Sequence, residues 1–470
     1  MDRFFGREQE LSSLNSLYNT GNFQMVVMYG RRRIGKTTLI QKFIADKPAI
    51  NFTAQETTDT LNLIAFSKRI YDFFNIHPSI GTFESWESAF DYLADKAMTT
   101  QFILSFDEFP YAVSANKTLL SIMQYLIDHK LKRSKIFIIL CGSQVSFMEG
   151  KVLGYKSPLF GRRTAQLNIQ GFDYFDAAHF MPGFSAIEKI SLYSAIGGTP
   201  HYLAQINPDE SVEENIMRLY FNISGYMYNE PMMLLQQELR EPAMYNAIIS
   251  TIASGITRIS EIANAIKEEP TKVMKYIKTL MDLHIISKAV PFGENKETSR
   301  RGIYLINDFS YLFWYRFVFP NKPEVESGYG YDIATNEVFG ENFAAYIGKP
   351  PFETIALQYL IRLNRESKLP FKATSHGTWW GNDPKAKTQS DFDLVLANHK
   401  TKEIILGECK WKNNLKDVEE IDRLREKTHL LKEYTDRYYF FFSKVPFSKA
   451  ATSLSNERLV LITADDLYNI

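Results

Sequence analysis

The sequence predicts a multidomain α/β protein, and three observations carry that expectation. At 470 residues the chain exceeds what one hydrophobic core ordinarily organises, so two to four domains are expected. In the first half, short apolar runs break at glycine or at paired carboxylates and give way to residues at helical spacing, as the strands of a parallel sheet do. From about residue 335 the order becomes helix, irregular polar loop, strand, turn, strand, helix, strand.

Composition narrows the class. A hydrophobic fraction of 45% with 23% charged residues is that of a soluble globular protein. Lys plus Arg and Asp plus Glu number 54 each, so contact with nucleic acid must come from a local patch rather than a global field. Cys141 and Cys409 both lie in apolar runs expected to be buried strands, which argues against a disulfide framework and fits a reducing compartment. The opening MDRFFGREQEL has no basic flank, apolar core or cleavage site, and no run of 18 apolar residues follows. A cytoplasmic protein with no membrane partner is expected.

The first strand, loop and helix are QMVVMYG, RRRIGKTT and LIQKFIADK (24–47). Gly30 through Thr37 matches G-x-x-x-x-G-K-[ST] at every fixed position. Gly30 and Gly35 let the loop curl so that backbone N–H groups and the helix N-terminus face phosphates. Arg31, Arg32, Arg33 and Ile34 fill the loop, and Thr38 follows it into the helix. Lys36 is expected to reach the β- and γ-phosphates of ATP, and Thr37 to offer its hydroxyl to Mg²⁺. A second strand, QFILSFDEF, ends in Asp107 and Glu108 at the carboxyl edge, where ligands of open α/β sheets collect. Asp107 is the candidate Mg²⁺ partner and Glu108 the candidate base for an attacking water. A third strand, KIFIILCGSQ, ends at Ser143 and Gln144. Gln144 is the candidate to sense the γ-phosphate, a turn residue being the alternative.

These strands, with the opening FGREQELSSL and the segments LFGRRTAQLNIQGF (159–172) and AIGGTPHYL (195–203), resemble the archaeal-type P-loop ATPases of the AAA+/STAND group. The resemblance implies ATP binding and hydrolysis by a core spanning 1–172 under a helical lid at 173–237. It also implies Phe5, Gly6 and Arg7 near the adenine, Arg162 or Arg163 approaching the phosphates, and Pro200 in the nucleotide pocket.

Between 238 and 318 three amphipathic helices, PAMYNAIISTIASG, ISEIANAIKEE and TKVMKYIKTLMDLHII, precede two strand-like pieces, IISKAVPF and GIYLIND. That order is a winged helix-turn-helix. Its third helix carries Lys272, Lys275 and Lys278, and its wing Lys296, Arg300 and Arg301. These residues are candidate contacts to DNA, with a lid or signalling element as the alternative. The segment 314–332 then loses periodicity and gathers proline, glycine and charge, which places a linker at 319–334.

In the last domain, 335–470, the strands SDFDLVLA and EIILGECKW form a hairpin. Its turn brings Asp393 opposite Glu408, while Glu408 and Lys410 share a face and Cys409 points to the other. Asp-x₁₄-Glu-x-Lys with these strands resembles the PD-(D/E)xK, restriction-endonuclease-like fold, and the domain resembles the C-terminal region, of the DUF234 type, that accompanies this ATPase family. The resemblance implies Mg²⁺ between Asp393 and Glu408, Glu353 as the helical acidic residue, and Lys410 at an attacking water. The proline that often precedes the first aspartate is absent. Trp379 and Trp380 are expected to pack under their loop. Two functions follow: an ATPase coupled through the winged helix to a nuclease-like domain acting on DNA, or a nucleotide-dependent switch whose C-terminal domain binds a protein partner or a second copy without cutting.

Overall fold

The structure, a computed structural model, describes residues 4–77, 81–239 and 241–469, so the first three residues of the N-terminal stretch lie outside it. The chain divides into two compact units that meet at Gly171 and Phe172.

The first unit is built on five parallel strands: β1 (Gln24–Tyr29), β2 (Ala49–Thr53), β3 (Ile103–Asp107), β4 (Phe137–Gly142) and β5 (Ala165–Asn168). Their order is β2-β3-β4-β1-β5, so β4 lies between the strand that opens the phosphate loop and the strand that ends in Asp107. β1, β3 and β4 are buried at every residue, as strands covered on both faces must be. Alternate side chains enter two cores. Met25 and Val27 join a cluster with Phe66, Trp86 and Phe106, while Val26 and Met28 join one with Leu39 and Phe43 of the helix Lys36–Ile44.

The second unit opens with helices that include Ala186–Ile196 and Val212–Tyr220. The segment expected to be a winged helix consists of the helices Pro242–Ala253, Ile259–Ala265 and Pro270–Asp282 and an antiparallel ribbon, β6 (Ile286–Ala289) and β7 (Ile303–Ile306). A final sheet has the order β12-β11-β10-β9-β8, from β8 (Ser375–Asp383), β9 (Thr388–Asn398), β10 (Glu403–Lys410), β11 (Asp436–Ser443) and β12 (Leu459–Thr463). β8, β9 and β10 pair antiparallel, and β10, β11 and β12 parallel. One apolar cluster runs from Phe172 to Leu467, so the parts drawn as separate domains after residue 172 share a core.

The expected linker is structured. Residues 322–338 form successive helical turns, with Val325, Ala334 and Val338 buried in that cluster. The glycine that suggested a linker serves close packing instead: a Cβ on Gly330 would stand 2.0 Å from the carbonyl oxygen of Phe221. Among the described residues no helix is long and apolar enough to cross a membrane.

Candidate functional site

In the first unit the phosphate loop runs from the end of β1 into the helix Lys36–Ile44. A Cβ on Gly30 would lie 2.3 Å from the carbonyl oxygen of Ile169, so only glycine lets the loop start this close to the segment after β5. Gly35 turns the chain into the helix with φ 87°. Lys36 is buried and donates from Nζ to the carbonyls of Gly30 (2.7 Å) and Arg31 (2.9 Å), which places its ammonium inside the loop. Burial lowers its pKa, and the charges of Glu108 and Asp107 oppose that shift.

A continuous chain of hydrogen bonds links the remaining groups. Thr37 Oγ1 donates to Asp107 Oδ2 at 2.9 Å, and the Glu108 N–H donates to Asp107 Oδ1 at 2.9 Å. Glu108 adopts φ 49°, a left-handed conformation rare outside glycine, and accepts from Ser143 Oγ at 2.9 Å. Of the two candidates at the end of β4, Ser143 is therefore the one that reaches the carboxylate. Gln144 starts the short helix Val145–Phe147 without a side-chain cap bond.

The remaining first-unit candidates are distributed as follows. Gly6 and Arg7 both have positive φ and lead into the helix Glu8–Tyr18. Arg7 Nη2 donates to the carbonyls of Ile34 (3.2 Å) and Gln170 (2.5 Å), so it braces the loop from behind. Phe5 beside it is half-buried, and Thr38 is exposed on the helix. Arg32 Nη2 donates to the Tyr111 hydroxyl at 2.9 Å. Arg162 is directed elsewhere: it donates to Asp128, at 2.5 Å from Nη2, and to the Pro158 carbonyl. The guanidinium bonds hold the Asp128 carboxyl down at about 2. Among the described residues none of its hydrogen-bond partners belongs to the phosphate loop. Pro200 belongs to the second unit, where it opens the helix Pro200–Leu203.

The first site suits a polyphosphate with a hard divalent cation. It presents a glycine-shaped backbone cradle, a buried ammonium, and a hydroxyl and carboxylate as oxygen donors.

In the second unit Leu394 pairs with Gly407, and the next step of that register sets Asp393 beside Glu408. Both carboxylates are buried, and Asp393 Oδ2 accepts the Cys409 N–H at 2.9 Å. Glu353 opens the helix Glu353–Arg365 on the same group. Its pKa is pushed up to about 8, by burial first and then by the Asp393 charge, with Lys349 opposing. Burial, then Asp393, also raises Glu408, with Lys410 and Lys427 opposing.

Three lysines surround these acids. Lys410 Nζ is 2.6 Å from Glu408 and 3.8 Å from Glu420, and Lys427 Nζ is 3.6 Å from Glu408. Lys349 Nζ is 3.2 Å from Glu353, 3.7 Å from Asp391 and 3.9 Å from Asp393. Glu353, Asp393, Glu408 and Lys410 thus come together in the fold. Lys349, Lys427 and Asp391 were missed, although Asp391 stands two residues before Asp393 on β9 and that strand spacing is itself a signal. Among the described residues, no three acidic, histidine or cysteine side chains are arranged to hold a metal ion. The oxygen donors suit Mg²⁺ but the placement does not, because lysine ammonium groups neutralise them.

The segment between β6 and β7, expected to be a wing, is engaged as well. The Phe292 N–H donates to the Thr378 carbonyl at 2.9 Å, and its ring stacks on His399. Arg301, expected to take phosphates, pairs with Glu294 and reaches the Trp380 carbonyl at 3.4 Å. Lys272 pairs with Glu268 at 2.8 Å. Lys275, Lys278, Lys296 and Arg300 are exposed. The polar loop expected around the two tryptophans is instead strand β8, from which Trp379 packs on Phe392 and Trp380 lines a cavity.

Comparison with known proteins agrees with this architecture. Residues 4–206 match the model of an ATPase domain found predominantly in Archaea, and residues 314–421 match that of archaeal and bacterial proteins of unknown function. An uncharacterized protein of Methanocaldococcus jannaschii is 32% identical over 453 residues, 95% of this chain and 97% of that protein. An uncharacterized ATP-binding protein of the same organism is 43% identical over 44 residues, 9% of this chain and 75% of that protein. Among solved structures, a Walker-type ATPase of Pyrococcus abyssi superposes with a TM-score of 0.51 at 20% identity, covering 66% of this chain and 96% of that one. At that identity the likeness concerns the fold.

Proposed function

This chain belongs to the family of archaeal-type ATPase-domain proteins that carry the C-terminal domain of unknown function, and on that premise we propose that it binds and hydrolyses ATP in its first unit. The observation that carries the reading is the unbroken chain Thr37–Asp107–Glu108–Ser143, each link 2.9 Å long. Lys36 releases the Gly30 and Arg31 carbonyls and turns its ammonium to the β- and γ-phosphate oxygens. Glu108, oriented by Ser143, accepts the proton of the attacking water. Thr37 and Asp107 would hold Mg²⁺, which would supply neutralisation of the phosphate charge. Glu108→Gln is expected to retain ATP and lose hydrolysis, measured by nucleotide retention on a filter beside phosphate release. Normal turnover by this variant would assign the base to another residue.

The nucleotide state is passed through the winged-helix segment to the C-terminal domain, in a protein working in the cytoplasm. The meeting of Glu353, Asp393, Glu408 and Lys410 supports a domain that handles phosphodiesters, with DNA as its partner. The neutralising lysines support the second reading, a switch of the STAND kind that binds a protein partner or another copy without cutting. Turnover separates the two. A switch holds its nucleotide through purification and turns over slowly, whereas a DNA-coupled ATPase is accelerated by DNA and cuts with Mg²⁺ or Mn²⁺ unless Asp393 or Lys410 is replaced by alanine.

A further inference from the structure

The second unit contains a cavity of about 640 Å³ that neither reading uses. Its size falls within the roughly 300–1,000 Å³ of sites that enclose small ligands. Its walls come from the turn after the helix Pro242–Ala253, from the β6–β7 ribbon, from the start of the helix Glu353–Arg365, and from β8. The winged-helix segment and the nuclease-like sheet therefore enclose it jointly.

Its chemistry is uneven in an informative way. Arg258 and Arg316 both line it, and neither has a carboxylate within ion-pair reach among the described residues. The Arg316 guanidinium lies over the rings of Phe317 and Tyr346, at 5.6 and 5.8 Å, which holds it in place without neutralising it. Trp380 faces the same space half-buried, its indole making no ring contact or hydrogen bond among the described residues. Ile303 and Leu305 supply an apolar wall. The cavity also shares Lys349, Glu353 and Asp391 with the acidic cluster around Asp393.

Two guanidinium groups lacking anions, an unstacked indole and an apolar wall together match one ligand chemistry, a planar base joined to a phosphate. An acidic peptide would satisfy the arginines and leave the indole and apolar wall unused. We propose that this cavity binds a nucleotide unit, its base against Trp380 and its phosphate on Arg258 and Arg316, at the approach to the Asp393 cluster. The unit is a free nucleotide or one residue of a single strand. The proposal rests on reading the C-terminal domain as one that handles nucleic acid, and it gives the winged-helix segment a definite part, as one wall of that domain's binding bay.

The test is fluorescence anisotropy with full-length protein in EDTA, so that no strand is cut, on a Lys36→Ala background that removes competition from the phosphate loop. The probes are fluorescein-labelled single-stranded DNA and RNA of about ten nucleotides, with thymidine and adenosine monophosphates as competitors. Arg258→Glu with Arg316→Glu, and separately Trp380→Ala, are each expected to weaken binding by about tenfold or more, with Trp380→Phe restoring most of it. Lys449→Glu, at the exposed start of the helix Lys449–Ser453 in the same unit and outside the cavity lining, is the control expected to bind as the parent does. Displacement by mononucleotides alone identifies a free nucleotide as the ligand, and displacement only by strands identifies a strand.

Unchanged affinity in the double arginine variant, no binding of any probe by the parent, or displacement by polyglutamate but not by nucleotides would each overturn the proposal. If the arginine variant fails to fold, the Trp380→Ala and Trp380→Phe pair still decides. A parallel assay with Mg²⁺ or Mn²⁺ keeps the two readings apart. Cutting that survives the arginine substitutions removes the bay and retains the nuclease, whereas binding without cutting retains the bay and removes the nuclease.

Discussion

The phosphate loop and the Asp393 cluster both bury charge, but they neutralise it differently. In the loop, Lys36 is satisfied by carbonyls five and six residues away in the same motif. Around Asp393, acids from β9, β10 and the helix Glu353–Arg365 are balanced by Lys410 of β10 itself and by Lys349 and Lys427 from two further stretches of chain. A site closed by its own backbone is ready for an incoming polyphosphate, since the ammonium exchanges weak carbonyl partners for charged ones. A site closed by lysines must lose an ion pair before it accepts anything cationic.

The largest expected effect tests whether the two sites are separate. Lys36→Ala should weaken ATP binding by more than about a hundredfold in calorimetric titration, whereas Lys410→Ala should leave ATP binding and turnover within about twofold. An equal fall in both would erase the distinction. Next comes Gly30→Ala, where the added methyl would stand 2.3 Å from the Ile169 oxygen. A loss of about 2–3 kcal/mol in urea unfolding, together with weakened ATP binding, is expected. A neutral result would mean that the loop moves freely at its start.

Lys410→Ala should itself destabilise the C-terminal domain by about 2 kcal/mol in urea unfolding followed by circular dichroism, because buried Glu408 keeps only the more distant Lys427. No loss would mean that the cluster is not held by its ion pairs. Ser143→Ala should lower kcat about tenfold with ATP affinity unchanged, and Gln144→Ala should do neither, which sharpens the assignment at the end of β4. The smallest effect belongs to Arg162→Ala. Its partly exposed pair with Asp128 should cost under about 1 kcal/mol and leave hydrolysis intact. A large fall in turnover would mean that Arg162 leaves Asp128 when ATP binds.

Legibility in the sequence followed chain separation. Gly30, Gly35, Lys36 and Thr37 occupy one contiguous motif, and the strand ending in Asp107 and Glu108 is recognisable by itself. The pairing of Asp393 with Glu408 was readable because a short turn sets hairpin register. Lys427 joined the cluster through packing that no spacing announces. The segment between β6 and β7 is the clearest case: its basic residues suggest a free phosphate-binding surface, yet Phe292 and Arg301 bond to β8, far along the chain.

What the sequence determined by itself is the parallel sheet with its phosphate loop and the hairpin that carries Asp393 and Glu408. Backbone periodicity and turn length act over a few residues and depend little on the remainder of the fold. What only the tertiary structure decided is the choice of partner for each long charged side chain: Arg162 with Asp128, Lys349 with Glu353, and Arg258 and Arg316 lining a cavity with no carboxylate in ion-pair reach of either among the described residues. The reason is physical. An ion pair forms with whichever opposite charge the packed core brings within a few ångströms, and core packing, unlike helix or strand periodicity, is a property of the whole unit.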